Sequence, residues 1–270
     1  MNSKILTLSF CFALAGSDCW AAAVAEDPAW FFDNDRKVFV FKQNKELTQE
    51  PRHFIMDCAQ KGDPERLAWA LSTKSVSPNY CDKSPRDVRG TTPLSAVVYG
   101  SLWYSGQHAD CVRLLLQSGA DPNADYSRCL IDNAPILSLA VEYGVVEVVT
   151  ALLEGGADIT LLDDKKLSVF SYLNKIAPCL VQRHNLRTEQ EAAVIREKVK
   201  KILLRHCADL LFRALDQHDR REFDRLFQFL CARLFGECGA YIEEVLVLQN
   251  DQGMNVVQYG IQKSVYVKMN

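Results

Sequence analysis

Several signatures that would fix a chemistry are missing from this sequence. There is no G-x-S-x-G elbow and the five histidines are scattered, so a nucleophile with a base held by a third group has no visible basis. No glycine-rich loop of the P-loop or dinucleotide type appears. No C-x-x-C or Cys/His ligand spacing is present, which argues against structural zinc. Asp163-Asp164 lack the further oxygen ligands that a calcium loop needs. His206-Cys207 are adjacent at a helix end and point in different directions, so they do not make a Cys/His pair. Catalytic residues, metal ligands and cofactors are therefore not expected.

Charge of one sign is also scarce: 31 Lys and Arg face 34 Asp and Glu, a net charge of -3. That excludes nucleic-acid or anionic-membrane binding driven by global charge. The basic group Lys198, Lys200, Lys201 and Arg205 reads as a solvated helix face, because Glu197 and Lys201 are an i,i+4 pair and a basic end suits the helix dipole. No apolar run reaches the roughly 20 residues of a membrane span. The run 5–15 behind Lys4 is shorter, and Ala23-Val24-Ala25 before Glu26 has the form of an A-x-A cleavage site. Residues 1–25 are read as a cleavable signal peptide and the protein as exported, periplasmic or secreted; a buried N-terminal helix is the alternative. A lipoprotein fits less well, since Cys19 comes too late.

Ten cysteines accompany this export signal. Cys11 and Cys19 leave with it, and Cys58, Cys81, Cys111, Cys129, Cys179, Cys207, Cys231 and Cys238 remain. An even number in an exported chain permits disulfides. Most nevertheless read as packing residues, with Cys81 and Cys129 in predicted loops as the candidates for reactive or paired thiols and Cys231 with Cys238 as a weaker pair.

What the sequence does contain is a recurring two-helix pattern. In residues 134–160 the apolar positions Leu137, Leu139, Ala140, Val148, Val149, Leu152 and Leu153 fall at helical spacing, and a turn at Tyr143-Gly144 divides them into two helices. Gly156 follows where a left-handed residue is wanted. Helices this short cannot bury their apolar faces alone and need stacked neighbours. Residues 90–124 repeat the pattern: Thr92-Pro93-Leu94-Ser95 opens a helix, with Thr92 as cap and Pro93 in its first turn, and Gly119-Ala120-Asp121 ends the second. An insertion at 101–107 carries Trp103 and Tyr104, which either project as anchors or pack back on the neighbouring unit.

Residues 167–209 form a third unit, interrupted at 178–187, with Thr188 and Glu191 as a capping box and Cys207-Ala208-Asp209 as its closing turn. Divergent units are read at 52–82, with Trp69 on a helix flank, and at 210–249, with a turn at His218-Asp219. Residues 250–270 resemble a terminal cap. Residues 26–51, with Trp30-Phe31-Phe32 and a short strand near 37–42, are read as an arm that covers the first unit's apolar edge, with a docking strand for a partner as the alternative.

The motifs Thr92-Pro93-Leu94-Ser95, Cys111-Val112-Arg113-Leu114-Leu115-Leu116 and Gly119-Ala120-Asp121 resemble the ankyrin repeat, with its T-P-L-H-x-A and V-x-x-L-L-x-x-G-A-D pattern. The resemblance implies an all-α ankyrin-repeat solenoid of stacked helix-turn-helix units with hairpin loops over residues 52–270. It also implies a non-catalytic module that binds another protein along the hairpin tips and first helices. By register that strip offers Asp87, Arg89, Tyr99, Asp125, Tyr126, Arg128, Glu142, Tyr143, Asp163 and Lys165, with Trp103 and Tyr104 from the insertion.

The family's histidine is replaced by Ser95, Ser138 and Ser171, which predicts hairpins less firmly tied to the helices. Arrays behind an export signal resemble periplasmic adaptors and secreted effectors. The competing expectation is an enzyme or enzyme inhibitor whose site is built from loops 101–107 and 178–187 and the C-terminal third.

Overall fold

The structure is a computed structural model that describes residues 30–33, 35–41, 44–81, 92–123, 134–176, 189–231 and 242–269. The signal segment, the insertion 178–187, Thr188, Cys129, Cys179 and Cys238 lie outside the described residues.

The arm is more than one strand. β1 (Trp30–Asp33), β2 (Val38–Phe41) and β3 (Asn44–Gln49) form an antiparallel sheet in that order, with Phe32 opposite Phe39 and Val40 opposite Thr48. Phe39 is fully buried, stacks on Phe54 at 4.2 Å between ring centroids and meets the edge of Trp69 at 4.9 Å. The sheet thus closes the apolar end of the first unit, as an end cap must. Trp69 lies inside this cluster and not on the helix flank, because Phe39 and Phe54 cover it.

The first unit pairs α1 (Pro51–Lys61) with α2 (Pro64–Ser72). Gly62 takes the left-handed conformation between them, and the Asp63 carboxylate accepts from the Arg66 N–H to cap α2. The second unit is α3 (Pro93–Gly100) and α4 (His108–Gln117). A capping box joins Thr92 and Ser95: the Thr92 hydroxyl accepts from the Ser95 N–H, and the Ser95 hydroxyl accepts from the Thr92 N–H. The third unit is α5 (Ile136–Glu142) and α6 (Val146–Glu154), turning at Gly144 and closing at Gly156, whose φ is +87°. Val148 and Leu152 are fully buried, in one core that runs from Phe39 through all three units.

Beyond residue 163 the regularity fades. α7 (Val169–Tyr172) continues as a 3-10 turn over Leu173–Lys175, and then α8 (Glu189–Asp216) runs for 28 residues, about 42 Å at 1.5 Å per residue. The expected break at 207–209 does not occur. Leu203-Leu204-Arg205-His206-Cys207-Ala208-Asp209 aligns with the Leu-Leu-x-x-Gly-Ala-Asp of earlier units, but Cys207 stands in the glycine's place. A Cβ disfavours positive φ without forbidding it, as Lys74 shows at the end of the first unit; here the chain stays helical, and Cys207 and Ala208 are buried on α8's inner face. The expected turn at His218-Asp219 is present, with Asp219 capping α9 (Arg220–Cys231) by accepting from the Glu222 N–H. α10 (Ile242–Leu246) and α11 (Val256–Met269) then lie along α8, and the turn between them is held by the Asn250 side chain, which accepts from the Gln252 and Met254 N–H groups.

Candidate partner-binding surfaces

The turns that close successive units are tied to one another by the side chains of Asn79 and Asn123, which the sequence alone does not single out. Asn79 donates to the Gly119 carbonyl at 2.8 Å and accepts from the Asp121 N–H at 2.8 Å. Asn123 repeats this one unit later, donating to the Gly156 carbonyl at 3.0 Å and accepting from the Asp158 N–H at 2.7 Å. Each amide fits because its two ends present a donor and an acceptor to the next turn's backbone. The signal was the paired Pro78-Asn79 and Pro122-Asn123. These ties do not involve the serines that replace the family's histidine: the buried Ser138 hydroxyl has no hydrogen-bond partner among the described residues, and the hairpin segments 82–91 and 124–133 lie outside them.

At the third turn the equivalent residue is Thr160, and the ladder changes character. Thr160 folds back on Asp158, while Arg225 of α9 donates to the Asp158 carboxylate at 3.1 Å and to the Thr160 hydroxyl at 2.7 Å. Arg225 is itself fixed by paired bonds to Glu222 at 2.8 and 2.7 Å. Burial pushes the Asp158 carboxyl up, but the Thr160 N–H, its hydroxyl and Arg225 outweigh this and hold it below the ordinary carboxylate value.

Of the residues assigned to the binding strip, Asp87, Arg89, Asp125, Tyr126 and Arg128 lie outside the described residues. Two others belong to the interior. Asp163 is 3% exposed: its carboxylate accepts from the Leu167 N–H and the Tyr172 hydroxyl, both at 2.7 Å, and so closes the 163–167 turn. Tyr143 is 6% exposed, its ring 5.8 Å from that of half-buried Tyr99, so this pair seals the seam between the second and third units. A carboxylate and a phenol read as surface groups by charge and position are thus consumed by packing. Glu142 is half-buried, and Lys165 is exposed at a hairpin tip.

Trp103 and Tyr104 are solvent-facing, at 60% and 45% exposure. They do not share a face with the hairpins. α3 starts at the hairpin side and its eight residues carry the chain about 12 Å to the opposite edge before loop 101–107 begins. The backbone of that loop packs back on the first unit. A Cβ on Gly100 would stand 1.9 Å from the Gln60 carbonyl oxygen, and one on Gly106 would stand 2.1 Å from that of Lys61. The Gln107 N–H donates to the Gly62 carbonyl at 2.7 Å, and buried His108 places Nε2 3.1 Å from the Gln60 carbonyl oxygen.

The C-terminal third holds an open polar cleft of about 360 Å³, walled by α8, residues 250–252 and Tyr259 of α11. Its charges are largely spent on one another: Arg205 pairs with Asp209 at 3.0 Å and Asp216 with Lys263 at 2.7 Å, and the Tyr259 hydroxyl donates to Asp216. Lys263 and Tyr259 hold the Asp216 carboxyl below its usual value, and Asp216 in turn holds Lys263 above its own. These are shifts of surface ion pairs, and loop 101–107 contributes nothing to the cleft's lining.

No helix among the described residues is long and apolar enough to cross a membrane. No curated protein matches the chain. Residues 55–163, from α1 to the turn after α6, match the family model described as Ankyrin repeats (3 copies). Over those residues the chain is similar to the ankyrin repeat family, and the helical array they form is an ankyrin-repeat solenoid.

Proposed function

We propose that this protein is an exported, non-catalytic adaptor or effector that holds a partner protein on the strip formed by its hairpin loops and first helices. Ankyrin repeats mediate protein–protein interaction, and the matched family is typically non-catalytic. The observation that carries the reading is the Asn79 and Asn123 ladder, which fixes successive turns in one register. A partner that lies along these turns then meets a fixed spacing between them, and pre-organisation of this kind favours binding.

The experiment is crosslinking with mass spectrometry of the tagged protein in its native cell, compared with a Tyr126→Ala, Arg128→Ala, Lys165→Ala variant. Loss of the crosslinked protein with an unchanged melting temperature supports the hairpin strip; undiminished capture moves the site elsewhere. The same material, sequenced from its N-terminus, should begin at Glu26. An intact Met1 would remove the export part of the proposal.

A further inference from the structure

The foot of loop 101–107 is held by a buried histidine whose two ring nitrogens both face carbonyl oxygens. His108, the first residue of α4, is 5% exposed. Its Nδ1 lies 3.2 Å from the Gly106 oxygen, within the loop, and its Nε2 lies 3.1 Å from the Gln60 oxygen, in the last turn of α1. The Gln60 carbonyl has no donor of its own in the helix. The residue four positions on is Pro64, which has no N–H, and the Gly62 and Asp63 N–H groups go to the Ala59 and Cys58 carbonyls. The ring is packed against Gly62, where an added Cβ would stand 2.7 Å from its Cε1.

A carbonyl oxygen can only accept, whereas a neutral imidazole donates from one nitrogen and presents a lone pair at the other. Only the doubly protonated ring can donate to Gly106 and Gln60 together. We propose that His108 is a proton-dependent strap, which ties the foot of the loop to both carbonyls when doubly protonated and releases one of them on losing a proton. The charged groups on the surrounding elements are paired among themselves: Lys61 with Asp57 on α1 at 2.8 Å, Arg66 of α2 with its cap Asp63 at 3.8 Å, and Arg113 with Asp110 on α4 at 3.0 Å. Among the described residues no carboxylate bonds to the ring, so the two carbonyls are what its proton answers to. The C-terminal end of α1 favours a cation and the N-terminal end of α4 disfavours one, and direct contacts at 3.1 and 3.2 Å outweigh either dipole. An imidazole ordinarily takes up its second proton near pH ~6.5. A charged form favoured by folding adds stability in acid, and that contribution is lost as pH rises through the imidazole range. With one contact gone, the neighbouring bond from the Gln107 N–H to the Gly62 carbonyl, 2.7 Å long, opens more often.

The test is nitrogen NMR of the full chain with isotope-labelled histidine, beside hydrogen exchange at the Gln107 amide, from about pH 5.5 to about pH 8. Both His108 nitrogens should carry protons at the acid end and one should be bare at the alkaline end. Exchange at Gln107, corrected for its intrinsic pH dependence, should be about tenfold more protected in acid, the worth of one hydrogen bond to a charged group. His108→Gln keeps an amide donor but cannot be charged, so it should lose this pH dependence while the remaining histidines titrate as before. The proposal is overturned by a ring that stays in one protonation state across the range, by Gln107 protection that does not change with pH, or by a His108→Gln variant as pH-dependent as the parent. Should that variant fail to fold, the two measurements on the parent decide alone.

Discussion

Residues 55–163 and residues 189–269 are both built from packed helices, but different forces set their spacing. In the first region the second and third units end at a left-handed glycine, Gly119 or Gly156, while the first ends at Lys74 with φ +50°, and an asparagine from the unit before reaches across to the backbone at each of the two glycine turns. Glycine permits the turn and the amide measures the distance, so successive hairpins repeat. In the second region Cys207 occupies the glycine's place, α8 continues to Asp216, and α10 and α11 lie along it, held by side-chain contacts such as Lys200–Glu244 and Lys263–Asp216. In the second region, where the glycine is absent, the row of units gives way to helices laid against one long rod. Arg225 marks the border, doing with a guanidinium what Asn79 and Asn123 do with amides.

The sharpest way to break this comparison is Cys207→Gly. If α8 is a helix at this point, glycine costs backbone entropy and removes a buried side chain, and the variant should lose about 2 kcal/mol in urea unfolding. Cys207→Ala, a better helix former, should lose less. A gain in stability from glycine would mean that the segment turns here after all, and that the two regions obey one rule.

Much of the first region was legible in the sequence because its causes are local. The cap at Thr92, the turn at Gly144 and the buried faces around Val148 and Leu152 follow from residue type at helical spacing. Contacts that need a neighbour in space were less so. Asn79 and Asn123 look like ordinary turn residues until the next unit is alongside. Asp163 looks like a solvated carboxylate until the Leu167 N–H and the Tyr172 hydroxyl converge on it. Trp69 was misplaced because the sheet that covers it is formed by residues with no helical period. The binding strip suffered most, since Tyr143 was assigned by register to a surface that Tyr99 occupies.

A second, smaller perturbation sharpens the role of the ladder. Asn123→Ala removes two hydrogen bonds and should cost about 1–2 kcal/mol, with hydrogen exchange at the Asp158 amide rising by more than at Val148. Uniform acceleration across the core would mean that the amide does not act locally. The smallest effect is one of pH. The folded-state pKa of Asp158 is depressed, so its contribution is complete above the ordinary value of 3.8 and is lost as pH falls through the lower folded-state value. Parent and Asp158→Asn should therefore differ in melting temperature at neutral pH and converge in acid below that value. A constant gap at every pH would assign the effect to geometry and not to charge.

The two glycines that flank loop 101–107 have a consequence for how this protein can vary. Because Gly100 and Gly106 tolerate no side chain, the loop's footing on the first unit is frozen. A side chain at either position would have to displace the backbone of the first unit, at Gln60 or at Lys61 and Gly62, so the length and exit direction of the insertion are inherited from its neighbour and cannot drift independently of it.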